Sequence, residues 1–202
     1  MAEHSSIFTV LGIDVISYSL KSLEDQVQTQ EVLDRCLKAC VLEHRPDDST
    51  DTHWIDAGDG GFLLLVGKEH ITLDIIQSLD TAIAKDTRNW TEGTGIGLRY
   101  AIHTDRIKVW SANYGKKYTG HALNNCARLL SGMNEEQKGQ VVCSGAFFDA
   151  IGAFGNATVI PDRLHDVVDK HGITHRVYNI QRNPGFGVVV LEREIHPDPT
   201  ER

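Results

Sequence analysis

Two aspartates, each closing an apolar strand, stand on either side of a helix-sized insert in this 202-residue chain. Asp14 follows the run Ile7-Phe8-Thr9-Val10-Leu11-Gly12-Ile13, and Asp59 lies in Gly58-Asp59-Gly60, ahead of Phe62-Leu63-Leu64-Leu65-Val66. A carboxylate at the end of a buried strand is costly unless something cationic meets it. A pair of divalent ions meets both, and hard carboxylate oxygens suit Mg2+ or Mn2+, which usually bring substrate phosphates with them. A third group of residues lies further on, where Asn124 and Arg128 are spaced i, i+4 and share one helix face. A carboxamide and a guanidinium together can hold a ribose oxygen and a phosphoryl oxygen, the guanidinium through its fixed fork of donors. The blander alternative is that Asn124 caps the turn while Arg128 extends to solvent.

The elements that must position these groups follow from periodicity and turn signals. A strand near 7–14 precedes a helix near 23–44, where Leu33, Cys36, Leu37, Cys40 and Val41 recur at helical spacing. A polar turn at 46–51 leads to a hairpin with strands near 52–57 and 61–67, bending at Gly58-Asp59-Gly60. A second helix is predicted over 69–86, strands near 96–103 and 106–110, and a Gly/Lys/Tyr-rich loop over 111–119. The helix bearing Asn124 and Arg128 runs from about 120 to 132. A short strand at 141–143, a short helix at 145–151 and a hairpin at 164–180 turning near Lys170-His171-Gly172 complete the pattern. Gly93-Thr94-Gly95-Ile96-Gly97 has no strand before it and no helix after it, so it reads as the lead-in to a strand rather than a phosphate loop. The order predicts an α+β domain over 1–182, a mostly antiparallel sheet with helices on one face in the ferredoxin-like manner, and a tail of unassigned structure over 183–202.

Composition narrows the partners. Hydrophobic residues make up 41% and charged residues 24%, which is ordinary for a globular domain with a sizeable core. A net charge of -8 argues against nucleic acid or an anionic membrane as partner. No apolar run reaches the roughly 20 residues of a membrane helix. The start Met-Ala-Glu-His-Ser-Ser lacks a basic n-region, so no signal peptide is expected. The four cysteines, Cys36, Cys40, Cys126 and Cys143, form no CxxC pair; they read as core thiols, with a metal or redox role as the alternative, and fit a reduced, cytoplasmic setting. The histidines show no metal-ligand spacing, and His103 reads as a structural residue on a buried strand.

Taken together, the motifs resemble the catalytic domain of class III nucleotidyl cyclases, the adenylate and guanylate cyclase family. Asp14-Val15-Ile16-Ser17-Tyr18-Ser19 is similar to its first metal motif and Gly58-Asp59-Gly60 to its second. Leu98-Arg99-Tyr100-Ala101-Ile102-His103-Thr104 resembles its "R-x-G-I-H-T-G" strand. Gly120, Asn124, Ala127, Arg128 and Leu129 fall in register with its "W-G-x-x-V-N-x-A-A-R-L" helix. The likeness covers roughly 6–180. It implies that Asp14 and Asp59, with the carbonyl of Val15, bind two Mg2+ or Mn2+ ions, one helping to generate the ribose 3′-alkoxide and one holding the triphosphate. It further implies that Asn124 orients the ribose and that Arg128 meets charge building on the α-phosphoryl group. Such enzymes are head-to-tail dimers, and this chain carries both halves of a shared site, so a homodimer with two sites is implied.

The base-selecting positions depart from that family. Where adenylate cyclases place a Lys, this chain has Ile55; where they place an Asp or Thr, it has Lys117, and the guanylate pattern fails as well. Ile55 beside Trp54 and His53 predicts a pocket narrowed for a small base, and Lys117, a donor only, suits a carbonyl such as O4 of uracil. The reading is a nucleoside triphosphate substrate, UTP ahead of CTP, and a likeness to the stand-alone pyrimidine cyclases of bacterial antiphage defence, with a downstream effector that senses the cyclic nucleotide. For Lys117 the alternative is a solvated loop lysine. The triphosphate-binding lysine is assigned to Lys170, with His171 and Arg176 as alternatives. Two other readings stay open: a purine cyclase with an unusual pocket, in which Lys117 reads guanine O6, and an inactive cyclase-like domain that binds a nucleotide or dimerises.

Overall fold

The computed structural model describes residues 4–44, 52–90, 95–133, 139–152, 162–168 and 174–180. Along these the chain runs β1 (His4–Val15), a 3-10 turn (Tyr18–Leu20), α1 (Leu23–His44), β2 (Thr52–Asp56), β3 (Gly60–Val66), α2 (Glu69–Asp86), β4 (Leu98–Ala112), β5 (Gly115–Thr119), α3 (His121–Ser131), β6 (Val141–Ser144), α4 (Gly145–Gly152), β7 (Asp162–Val168) and β8 (Thr174–Ile180). Both long helices fall where their periodicity predicts. Ser22 starts α1: its Oγ accepts the Asp25 N–H (3.1 Å) and donates back to the Asp25 carboxylate (2.8 Å), a reciprocal cap.

The strands among the described residues form one sheet in the order β2-β3-β1-β4-β6-β8-β7, with β5 paired to the outer part of β4. All neighbours are antiparallel except β4 and β6, which are joined by a crossover through β5 and α3. β1 is central, with Asp14 opposite Gly60 of β3 on one side and opposite Arg99 of β4 on the other.

Apolar side chains leave both faces of this sheet. Leu11, Ile13, Leu63, Leu65 and Ile102 pack under Leu33 and Cys36 of α1, Ile75 and Leu79 of α2 and Phe147 of α4. Phe8, Val10, Leu64, Ala101 and Val142 pack on the other side under Ala122, Cys126, Leu129 and Leu130 of α3. The expectation of helices on one face is therefore corrected: α3 lies opposite α1, α2 and α4. Its close seat is set by Gly12, where a Cβ would come within 2.7 Å of Leu130 Cδ1 and 2.9 Å of Cys126 Sγ.

Two local expectations also change. The strands predicted at 96–103 and 106–110 are one continuous strand, β4, which begins at Leu98, because β1 pairs with it through Thr104, Asp105 and Arg106. The stretch 111–119 is not a loop: it turns at Asn113-Tyr114 and returns as β5, with Lys117 opposite Trp110 and Tyr118 opposite Val109. The two strands of the final hairpin form, from 162 and from 174, while its turn, Lys170 and the stretch from 181 onward lie outside the described residues. Among the described residues no helix is long and apolar enough to cross a membrane.

Candidate functional site

Asp14 and Asp59 are brought to the same end of the sheet by backbone bonds. The Val15 N–H donates to the Asp59 carbonyl (2.9 Å), which fastens the end of β1 to the β2–β3 turn. The turn has its own supports: Asp56 Oδ1 accepts the Gly58 N–H (2.7 Å), Ala57 N–H donates to the Gly60 carbonyl (3.0 Å), and Gln30 of α1 donates to the Gly58 carbonyl. Gly60 is required by close approach, since a Cβ there would sit 2.1 Å from the Ile13 carbonyl oxygen. After Asp14 the chain turns sharply at Ser17, whose φ of 55° lies in the left-handed region that non-glycine residues rarely occupy.

The charge at this end is unbalanced. Asp14 is paired with Arg99, whose Nε lies 2.6 Å from Oδ2, while Arg99 Nη1 donates to the Met133 carbonyl (2.6 Å) just beyond α3. Even so, the Asp14 carboxyl is held above its ordinary value. Burial is the main cause, Arg99 opposes it, and the neighbouring Asp59 adds to it. A half-buried carboxyl whose ionisation is opposed by burial and by a neighbouring carboxylate is a donor that a cation would relieve. The hard oxygens of Asp14 and Asp59 fit Mg2+ or Mn2+ on that ground. Among the described residues no group of three or more His, Cys, Asp or Glu side chains is gathered for a metal.

Asn124 and Arg128 stand on α3, whose buried side is Ala122, Cys126, Leu129 and Leu130. Asn124 is exposed and Arg128 half-buried, so the predicted shared face points away from the core. Arg128 Nη1 donates to Asn125 Oδ1 (3.2 Å), the residue that follows Asn124 on the helix.

The residues expected to read the base are divided between the faces of the sheet. Trp54 packs with the α1/α2 layer, its ring over Gly61, whereas Ile55 packs with the α3 layer. Adjacent strand residues point oppositely, so the two cannot narrow one pocket together. Lys117 is exposed on the outer side of the β4–β5 arm, where its cross-strand neighbour Trp110 donates to Thr119 (3.1 Å). Tyr118 is the inward residue. It packs with the cluster that includes Ile55, its ring lies 5.4 Å from that of His53, and burial raises its phenol.

Sequence reasoning gave no role to Arg99, Asn125 or Tyr118. The place of Arg99 at the head of the Leu98–Thr104 motif was the available signal for the first; the others depend on which way a strand or helix faces.

No protein-family model matches the chain, and no curated protein matches it by sequence. Solved structures do. The guanylyl cyclase Cya2 superposes with a TM-score of 0.70 at 14% identity, over 95% of this chain and 100% of that one. The adenylyl cyclase CyaB from P. aeruginosa gives 0.69 at 12% identity, over 93% and 100%. The guanylate cyclase domain of RhGC from Catenaria anguillulae, solved in complex with GTP, gives 0.66 at 15% identity, over 90% and 98%. The sheet order, the helix on its second face and the two aspartates at one end thus belong to a chain with the fold of adenylate and guanylate cyclase catalytic domains.

Proposed function

We propose that the protein is a metal-dependent nucleotidyl cyclase that converts a ribonucleoside triphosphate to a 3′,5′-cyclic nucleotide and pyrophosphate. The observation that carries this is the convergence of Asp14 and Asp59, through the Val15–Asp59 backbone bond, within a cyclase fold. In the reaction the ribose 3′-oxygen loses its proton and bonds to the α-phosphorus while the bond to the bridging oxygen of pyrophosphate breaks. Asp14 and Asp59, with the Val15 carbonyl, would hold two divalent cations, which when bound would ease loss of the ribose proton and offset the negative charge of the triphosphate. Asn124 orients the ribose. Arg128 donates to the charge that grows on the transferring phosphoryl group, where a fixed fork of donors is worth most.

Asn124 and Arg128 face outward, as a shared site needs, and we assign the working unit to a homodimer in which each site joins the aspartates of one chain to the α3 of the other. UTP is the proposed substrate. Ile55 offers no hydrogen bond to a base, and Lys117, although on the exposed side of the β4–β5 arm, is assigned to a carbonyl edge because it can only donate. The rings of His53 and Tyr118, on Ile55's side of the sheet, narrow the pocket there without Trp54, which packs on the other face. The proposal extends to cyclic UMP as a signal in antiphage defence, read by a cyclic-nucleotide-sensing effector.

The test is a competition among equimolar ATP, GTP, CTP and UTP with Mn2+, the products resolved by mass. Cyclic UMP should dominate. A majority of cyclic AMP or cyclic GMP leaves the cyclase and removes the pyrimidine reading, and no cyclic product from any of the four overturns both.

A further inference from the structure

Arg128 ends a chain of hydrogen bonds that runs from the exposed side of α3 through the sheet to the start of α4. Its Nη1 donates to Asn125 Oδ1 (3.2 Å). Asn125 Nδ2 lies 3.3 Å from Nε2 of His103, and His103 Nδ1 lies 2.7 Å from Ser144 Oγ. Ser144 Oγ also accepts the Phe147 N–H (3.3 Å), so the chain finishes on the N-cap of α4. His103 and Ser144 are both only 8% exposed.

The direction of every bond follows from one fact. A guanidinium has donors and no acceptor, so Asn125 must present its carbonyl oxygen to Arg128. The amide NH2 then faces His103, and Nε2 must accept. A neutral imidazole with an accepting Nε2 carries its proton on Nδ1, which donates to Ser144. Asp105 Oδ2 also faces His103 Nε2, but at 3.9 Å it is out of hydrogen-bond reach, so the nearer Asn125 amide sets the accepting role of Nε2. Reversing the Asn125 amide would set a donor against the guanidinium.

We infer that Asn125 is a positioning residue for Arg128, and that the buried His103–Ser144 pair fixes Asn125. The inference rests on the assignment of Arg128 to the transition state above. A long Arg side chain has several rotatable bonds, and a guanidinium aimed by a fixed acceptor loses less freedom when it meets the phosphoryl group. Asn125 itself touches no reacting atom.

Two measurements test this. In steady-state kinetics Asn125→Ala should lower kcat by about 10- to 100-fold, the scale of a misplaced group, with KM changed by less than about twofold. Asn125→Asp keeps an oxygen toward Arg128 but offers the accepting Nε2 of His103 no donor, so it should recover only part of that loss, and full recovery would overturn the role given to His103. An unchanged kcat in Asn125→Ala, or a loss confined to KM, overturns the inference. The second readout needs no activity. In histidine-15N-labelled protein the signal lost in His103→Gln should be that of a neutral ring protonated at Nδ1. A ring protonated at Nε2, or at both nitrogens, overturns the inference, since Nε2 then cannot accept from Asn125. Should the wild-type protein make no cyclic nucleotide, the cyclase reading falls and the kinetic role of Asn125 with it, while the tautomer still decides whether the brace exists.

Discussion

Replacing Asp14 by asparagine separates the electrostatics of the aspartate pair from catalysis. Asp14 is held above its ordinary carboxylate value, chiefly by burial and secondarily by Asp59, despite the 2.6 Å pair with Arg99. The sign follows from linkage. A carboxyl that binds its proton more tightly when folded contributes stability below its unfolded value of 3.8, and that stability is lost as pH rises through the raised folded value. Near neutral pH the ionised group is a net cost in protein free of divalent ions. The carboxamide of the variant would still offer an oxygen to Arg99 Nε, so Asp14→Asn should melt no lower than wild type in EDTA at pH 7, and its advantage should vanish toward pH 3. Divalent cations reverse the ranking. A ligand at 100 times its Kd stabilises by about 2.7 kcal/mol. For a chain of this length each kcal/mol moves Tm by about 2–4 °C, so saturating Mn2+ should raise the wild-type Tm by about 5–11 °C. Asp14→Asn should lose most of that shift. The assay is a thermal melt across an Mn2+ series at pH 7. Equal Mn2+ shifts in both proteins, or a variant that is clearly less stable than wild type in EDTA, would refute the reasoning.

Mixing Asp59→Ala with Arg128→Ala, each inactive alone, should restore activity as subunits exchange, up to one intact site per heterodimer; exchange without recovery rules out shared sites. Trp54→Ala should cost about 2–4 kcal/mol in denaturant unfolding by emptying space beneath α1 and α2, while leaving base preference alone, and Ile55→Ala should alter the UTP/CTP product ratio. Burial pushes the thiols of Cys126 and Cys143 up to about 12, so neither should react with a thiol-modifying disulfide at pH 8 until the protein is unfolded. Fast labelling of either in native protein contradicts the packing of α3 and β6.

The sequence made some elements readable because local signals agreed. Helical periodicity marked α1, and Gly58-Asp59-Gly60 marked a turn whose geometry needs glycine. β4 was harder. Thr104-Asp105-Arg106 looks like an interruption, and only pairing with β1 carries the strand across it. Gly115-Lys116-Lys117-Tyr118-Thr119 has no strand pattern of its own and becomes β5 because β4 offers an edge. The side on which α3 packs was hidden for a related reason: β1 is apolar at successive positions, Val10 and Leu11 alike, so its sequence does not say which residues face which layer. The aspartates and the Asn124/Arg128 helix were legible as motifs. The rest of Arg128's network was not, because Asn125 meets His103, and His103 meets Ser144, only through the seat of α3 and the register of the sheet.

The central place of β1 has a kinetic cost for a chain made from its N-terminus. Its two neighbours, β3 and β4, are supplied by residues 60–66 and 98–112. At a synthesis rate of about 5–20 residues per second, β1 waits roughly 5–20 s for the second of them. During that time a run containing Phe8, Val10, Leu11 and Ile13 has an open edge, the state in which strands pair with the wrong partner. High contact order of this kind also slows folding after release. Yield on recombinant expression should therefore respond to lowered temperature and to chaperones that hold nascent strands, even though the finished sheet buries β1 on both faces.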